Sequence, residues 1–332
     1  MPGKEERSAE ERLIERYFRP LATHPGAFAL LDDAAIVTPP PGCDLVLKTD
    51  GVIAGVHFFP DDPPEHIGRK ALRMNLSDLA AKGAKPIGFL MSVALPVAVE
   101  EAWLAAFAAG LGADVERYGC PLLGGDTDHT PGPTSVSIAA FGTVPHRTMV
   151  RRSTAQVGDR VVVTGTIGDA ALGVRLRRDP SLRERWLLSP PAADYLNQRY
   201  LLPQPRTALA EAVRLHAASS MDVSDGLAGD LAKLCRASNV AAEIDATRVP
   251  LSDAARTAIA ADPALLETAL SGGDDYEIVL TLARANLDSF RTAAATAAIP
   301  VTEIGSIVAG AGTCFTRDGK VLSLARPAFS HF

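Results

Sequence analysis

The feature that most restricts this chain is where its aspartates fall. Five short segments set aspartate beside glycine, serine or threonine at the ends of stretches that read as strands. They are Leu31-Asp32-Asp33-Ala34-Ala35, Lys48-Thr49-Asp50-Gly51, Gly124-Gly125-Asp126-Thr127-Asp128, Met221-Asp222-Val223-Ser224-Asp225-Gly226 and Ser271-Gly272-Gly273-Asp274-Asp275-Tyr276-Glu277. A single aspartate next to glycine is an ordinary turn or cap residue. Five of them, joined by Asp78 on the polar side of a helix, go beyond that reading. Carboxylates gathered in one cleft repel and raise each other's pKa unless cations neutralise them, so a gathered set implies metal. Donors that are all oxygen favour hard ions such as Mg²⁺, which bridges carboxylates to substrate phosphates. The glycines beside them let backbone N–H groups approach those phosphates. Spacing alone leaves open whether the five loops converge.

The elements around these segments mix helix and strand. Apolar spacing predicts an amphipathic helix over Glu5 to Phe18, strands over Ala34 to Val37 and Leu45 to Leu47, and a helix over Ile67 to Lys82 ending at Gly83. In that helix Leu72, Leu76 and Leu79 share the inner side, and Asn75, Asp78 and Lys82 a polar stripe. Strands follow at Met91 to Leu95 and Ser135 to Val144, separated by an Ala-rich helix from Glu100 to Tyr118. A second set has strands at Arg160 to Thr164, Ser219 to Val223 and Tyr276 to Thr281, with helices at Asp169 to Arg178, Pro205 to Ala217 and Asp225 to Ala237. The Pro- and Arg-rich stretch from Asp179 to Pro205 reads as a surface connection with one short helix. At about 100–150 residues per domain, 332 residues make two domains, divided as 1–148 and 149–332, of mixed α/β or α+β class.

Composition removes several partners. With 33 Lys and Arg against 39 Asp and Glu, the net charge of −6 repels a polyphosphate backbone, and 5% aromatic residues are too few for stacking platforms, so no nucleic acid is expected. The longest apolar run, Phe89 to Val99, is broken by Ser92 and Pro96 and falls short of the roughly 20 residues that cross a bilayer, so no membrane is expected. The charged first residues lack the apolar stretch of a secretory signal, which predicts a cytoplasmic protein. Cys43, Cys120, Cys235 and Cys314 form no CxxC pair and read as reduced thiols. GxxxxGK[ST], a strand-following GxGxxG and GxSxG are all absent.

Taken in order, Asp-Asp-Ala-Ala at 32–35, Lys-Thr-Asp-Gly-Val-Ile-Ala-Gly-Val-His-Phe at 48–58, Asn-Leu-Ser-Asp-Leu-Ala-Ala-Lys-Gly-Ala-Lys-Pro at 75–86, Gly-Gly-Asp-Thr at 124–127, Asp-Val-Ser-Asp-Gly-Leu at 222–227 and Gly-Gly-Asp-Asp-Tyr-Glu at 272–277 resemble the thiamine-monophosphate kinase family. That family belongs to an ATP-binding superfamily with aminoimidazole ribonucleotide synthetase, selenophosphate synthetase and a hydrogenase maturation protein. The resemblance implies transfer of the ATP γ-phosphoryl group to thiamine monophosphate, giving thiamine diphosphate and ADP. It implies an N-terminal domain that binds ATP and Mg²⁺ and pairs its sheet with that of a second copy in a homodimer, followed by a C-terminal α/β domain. Several Mg²⁺ ions are implied, with Asp33, Thr49, Asp50, Asp78, Asp126, Asp222 and Asp225 as ligands. Gly125, Asp126, Arg152 and Ser224 are implied at ATP and Tyr118 near the adenine; His57, Glu277 and Phe329 are implied at thiamine monophosphate. No catalytic side chain is implied, because a phosphate acceptor is already ionised and needs no general base.

The chain departs from the family at Leu31, where glycine is common, and at Lys48, where serine is frequent. Lys48 either offers charge to a phosphate or points to solvent. Read singly, Ser224 is equally the N-cap of the following helix with Asp225 in its first turn, His57 a structural histidine, Tyr118 a core residue and Arg152 a solvated charge. Two other functions stand beside the kinase: an ATP-dependent synthetase of the same superfamily, and a non-catalytic nucleotide- or metal-binding module. Against the selenophosphate enzyme, no cysteine precedes Cys43; against a module, His57 and Glu277 are both present.

Overall fold

Residues 8–324 are described by a computed structural model. The chain forms two units, one from Pro86–His146 and the chain up to Leu76, the other from Ser77–Lys85 and the chain from Arg147 onward.

In the first unit, α1 (Ala9–Leu13) is closed by a capping box between Ser8 and Glu11. It widens into a π-type turn at Ile14–Phe18, so helical backbone reaches Phe18 as expected with a change of pitch at Ile14; Glu5 to Arg7 of the expected helix lie outside the described residues. Strands β1 (Cys43–Ile53), β2 (Lys85–Pro96), β3 (Leu122–Thr130) and β4 (Ser135–Pro145) form one sheet in the order β1-β4-β2-β3. β1 and β4 run antiparallel from the pair Cys43–Pro145 to the pair Ile53–Ser135. β2 and β3 are parallel, which requires a crossover, supplied by α3 (Glu101–Tyr118). The expected strand at Ala34 to Val37 does not form. Prolines 39, 40 and 41 follow closely and cannot donate to a ladder, so no strand extends through them, and the stretch is held instead by the Ile36 N–H, which donates to the Gly26 carbonyl at 2.8 Å.

Alternation along the strands buries Val46, Val52, Met91, Val93, Val136 and Ile138. The other parity leaves Leu45, Leu47, Ile53 and Leu90 exposed. Helix α2 (Pro64–Ala81) buries Leu72, Leu76 and Leu79 completely, as its spacing predicted, and the chain leaves it through Gly83 in the left-handed conformation (φ +72°). α2 and α3 cross closely: a Cβ on Gly110 would stand 2.1 Å from the Glu65 carbonyl oxygen. Beside that crossing Arg73 and Asp114, both wholly buried, form an ion pair at 2.5 Å.

The second unit is built on a seven-stranded sheet of β5 (Arg160–Thr164), β6 (Ser219–Val223), β7 (Ala241–Asp245), β8 (Glu277–Leu282), β9 (Val301–Val308), β10 (Gly312–Arg317) and β11 (Lys320–Val321). Its order is β11-β10-β7-β9-β5-β8-β6. Helices α4 (Asp169–Arg178), α5 (Leu182–Arg185), α6 (Pro190–Leu201), α7 (Ala210–His216) and α8 (Leu227–Ser238) connect its first strands. Adjacent residues serve opposite faces: Val161 and Val163 enter one apolar cluster with Leu231 and Trp186, and Val162 enters another with Phe290 and Val213. The stretch read as a surface connection holds two helices and buries Trp186, Leu196 and Tyr200. Pro190 is the reason for the difference, since it starts α6 behind the Ser189 cap where its missing N–H costs nothing.

Candidate functional site

In the first unit a cavity of about 720 Å³ is lined on one side by Asp32, Asp33 and residues 124–127, and on the other by apolar side chains that include Leu45, Leu47, Leu90 and Phe141. The approach to Asp32 and Asp33 is a left-handed turn of three non-glycine residues, Phe28, Ala29 and Leu30 (φ 48°, 54° and 56°). Each costs roughly 1–2 kcal/mol, so this bend is enforced by its surroundings. Gly125 stands opposite Met91 in the β2–β3 register, and a Cβ there would fall 1.8 Å from the Met91 carbonyl oxygen. Glycine therefore allows β3 to lie along β2 and carry Asp126 into the cavity wall. The Asp126 Oδ1 accepts the Thr127 N–H at 3.0 Å. Asp33, Gly125 and Asp126 are thus brought together.

Thr49, Asp50, His57 and Tyr118 belong to the same unit but do not line this cavity. The Asp50 N–H donates to Oδ1 of the buried Asn75 at 2.9 Å, and the Asp50 carboxylate pairs with Lys48 at 3.0 Å. Lys48 therefore lies beside Asp50, with its side chain partly exposed. His57 follows β1 in a turn, its Nδ1 accepting the Ile53 N–H at 3.1 Å and its carbonyl accepting the Lys70 ammonium at 2.9 Å. Tyr118 closes α3 with the Arg73 and Arg117 guanidiniums 5.7 and 5.3 Å from its ring centre. Burial raises its hydroxyl pKa. Two cations already cover the ring expected near the adenine.

Asp78, Arg152, Asp222, Ser224, Asp225 and Glu277 belong to the second unit. Asp78 is half-buried on the last turn of α2, and Arg152 lies exposed in a turn whose carbonyl accepts from Ser238 at 2.9 Å. Asp222 is the penultimate residue of β6 and is buried. Ser224 is not the cap of α8: Gly226 holds that position without a side-chain bond. Asp230 reaches back from the first turn, its Oδ2 accepting the N–H groups of Ser224 at 3.0 Å and Asp225 at 2.8 Å. Its Oδ1 accepts Lys233 at 2.8 Å, and Lys233 also pairs with Asp225.

Glu277 is completely buried at the start of β8. Arg199 donates to it at 2.9 Å, Thr164 at 2.7 Å and Arg206 through both Nε and Nη2. An acceptor that meets Glu277 meets this charge cluster, not a lone carboxylate. Next to it Asp275 accepts the N–H groups of Gly168 at 2.6 Å and Ala170 at 3.2 Å. Burial pushes the Asp275 carboxyl well above the usual carboxylate range, the Gly168 bond opposing the shift. Phe329 lies outside the described residues.

Among the described residues no three of His, Cys, Asp or Glu stand close enough to hold a metal ion by themselves. The donors at the cavity, Asp33, Asp126 and Thr127, are all oxygen, a set that suits Mg²⁺ when substrate phosphates complete its shell. Also among the described residues, no helix is long and apolar enough to cross a membrane.

The sequence matches the N-terminal domain of AIR synthase related proteins over residues 31–144 and their C-terminal domain over 156–316, which defines the class. Within it the chain belongs to the thiamine-monophosphate kinase family. It is 40% identical over 322 residues to the thiamine-monophosphate kinase of Caulobacter vibrioides, spanning 96% of this chain and 89% of that protein. Among solved structures, thiamine-monophosphate kinase from Stenotrophomonas maltophilia K279a is similar at 36% identity and a TM-score of 0.82, covering 94% of this chain and 96% of that one. AaThiL, solved in complex with AMPPCP and TMP, is similar at 30% identity and a TM-score of 0.77, covering 92% and 97%.

Proposed function

We propose that this protein transfers the γ-phosphoryl group of ATP to thiamine monophosphate, giving thiamine diphosphate and ADP, in the cytoplasm. The observation that carries this reading is the cavity at which Asp33, Gly125 and Asp126 meet in a chain of this family. Its acidic side offers oxygen donors and its glycine-rich strand offers close backbone approach to a polyphosphate. Asp33, Thr49, Asp50, Asp78, Asp126, Asp222 and Asp225 would hold Mg²⁺, which when bound neutralises phosphate charge and lowers repulsion between donor and acceptor. Gly125, Arg152 and Ser224 address the ATP phosphates and Tyr118 the nucleotide. His57, the Glu277 cluster and Phe329 orient thiamine monophosphate. Its phosphate oxygen attacks in line without a general base, so the side chains position and neutralise but carry no proton.

Domain 1–148 binds ATP and Mg²⁺ and pairs with a second copy, and domain 149–332 is the C-terminal α/β domain. The apolar parity of β1 leaves Ile53 exposed outside the cavity lining, which supports a homodimer through the N-terminal sheets. Incubation with ATP, Mg²⁺ and thiamine monophosphate, followed by chromatography, is expected to yield thiamine diphosphate, and excess chelator to abolish it. Product formed undiminished in chelator, or no product at all, overturns the reading; a monomer mass in sedimentation at micromolar concentration overturns the dimer.

A further inference from the structure

Behind the Asp222–Asp225 turn, one buried carboxylate does two separate jobs. Asp230 is wholly buried; its Oδ2 accepts the Ser224 and Asp225 N–H groups at 3.0 and 2.8 Å, and with the Asp274 N–H on the Ser224 carbonyl at 2.9 Å this fastens the turn without any help from a lysine. Its Oδ1 holds the Lys233 ammonium at 2.8 Å, and that ammonium reaches on to Asp225 Oδ2. Lys233 and Asp225 are each 34% exposed, so the pair sits where solvent and a small ion have access, while Asp230 does not. A lysine is not needed to brace the turn. What it adds is a positive charge resting on an oxygen of Asp225 and anchored from below by Asp230.

We infer that Lys233 is a positioning residue that acts as a tethered counter-ion, holding the Asp225 carboxylate in place until a divalent cation displaces its ammonium from Oδ2. The inference rests on the reading of Asp225 as a metal ligand. Two cations cannot share one carboxylate oxygen without repulsion, so the lysine holds the Asp225 side chain at the expense of metal affinity. The tether has a defined resting place, because release from Asp225 leaves the ammonium on Asp230 Oδ1.

The test uses the full-length protein and Mn²⁺ alone, without nucleotide, with free Mn²⁺ read by electron paramagnetic resonance. Lys233→Met is expected to bind Mn²⁺ on the order of tenfold more tightly than the parent. Lys233→Gln, which keeps a hydrogen bond to Asp230 without the charge, is expected to gain similarly and serves if the methionine variant folds poorly. Lys233→Arg keeps the charge and is expected to retain the parent affinity. Adding Asp225→Asn to Lys233→Met is expected to remove the gain. Affinity in both neutral variants equal to or weaker than the parent overturns the inference; if Asp225→Asn alone still weakens Mn²⁺ binding, the ligand reading survives that failure. A gain that persists in the Lys233→Met, Asp225→Asn double variant overturns both.

Discussion

In the first unit the carboxylates of Asp33 and Asp126 lie exposed along a cavity, whereas in the second Asp230, Asp275 and Glu277 are wholly buried and held by N–H groups or cations. The contrast separates two uses of the same residue type. An exposed acid on a strand contributes little to folding and is available to a ligand. A buried acid costs stability unless its partners are complete, so Asp230, Asp275 and Glu277 also serve the scaffold that shapes the loops around them.

The sharpest way to break this division is to remove one charge from each unit. Asp126→Asn is expected to lower turnover by on the order of 10²-fold while leaving the melting temperature unchanged, because the lost charge faces a ligand and not the core. A near-normal rate would make Asp126 a strand residue and nothing more. Glu277→Gln is expected to reduce acceptor use and to destabilise the fold by about 3 kcal/mol, since it leaves Arg199 and Arg206 facing a neutral amide. Thermal unfolding decides the second part, and an unchanged midpoint would show that the Glu277 charge adds nothing to the scaffold.

The smallest effect concerns pH. Burial raises the Asp275 carboxyl above its ordinary 3.8, so the folded protein holds a proton that the unfolded chain releases near that value. Its contribution is complete below the ordinary value and is lost as pH rises through the raised one. Asp275→Asn is therefore expected to flatten the decline of the melting temperature with rising pH by a few degrees. Parallel curves for the parent and the variant would show that the group carries no proton in the folded state.

The sequence was a good guide wherever one period or one end signal decided the structure. Leu72, Leu76 and Leu79 placed the inner side of α2, Gly83 ended it, and β5, β6 and α4 lie where their patterns set them. β3 was hidden because Gly124-Gly125-Asp126-Thr127-Asp128 has the composition of a turn; it is a strand because β2 accepts it at close range. In the site, the motif residues Asp33, Gly125 and Asp126 were readable locally. Arg199 and Arg206 were not, since they meet Glu277 across 78 and 71 positions and leave no local signal. Asp230 and Lys233 were masked by the leucine spacing of α8, although an aspartate one turn into an apolar helix is itself a sign that something needs its charge.

The last turn of α2 has a consequence for cutting and recombining this protein. Ser77–Lys85 belongs with the chain from Arg147 onward, where Ala80 and Ala81 fill the cluster around Val213 and Phe290 and the Ala81 carbonyl receives the Ser220 hydroxyl. No single break in the backbone yields two intact pieces. A fragment begun at residue 147 would open a hole in its own core and strand a buried hydroxyl, and a fragment ended at 146 would carry a helical stub with its apolar side bare. The two halves are therefore inherited together: a chimaera made by exchanging one of them has to exchange nine residues of the other as well.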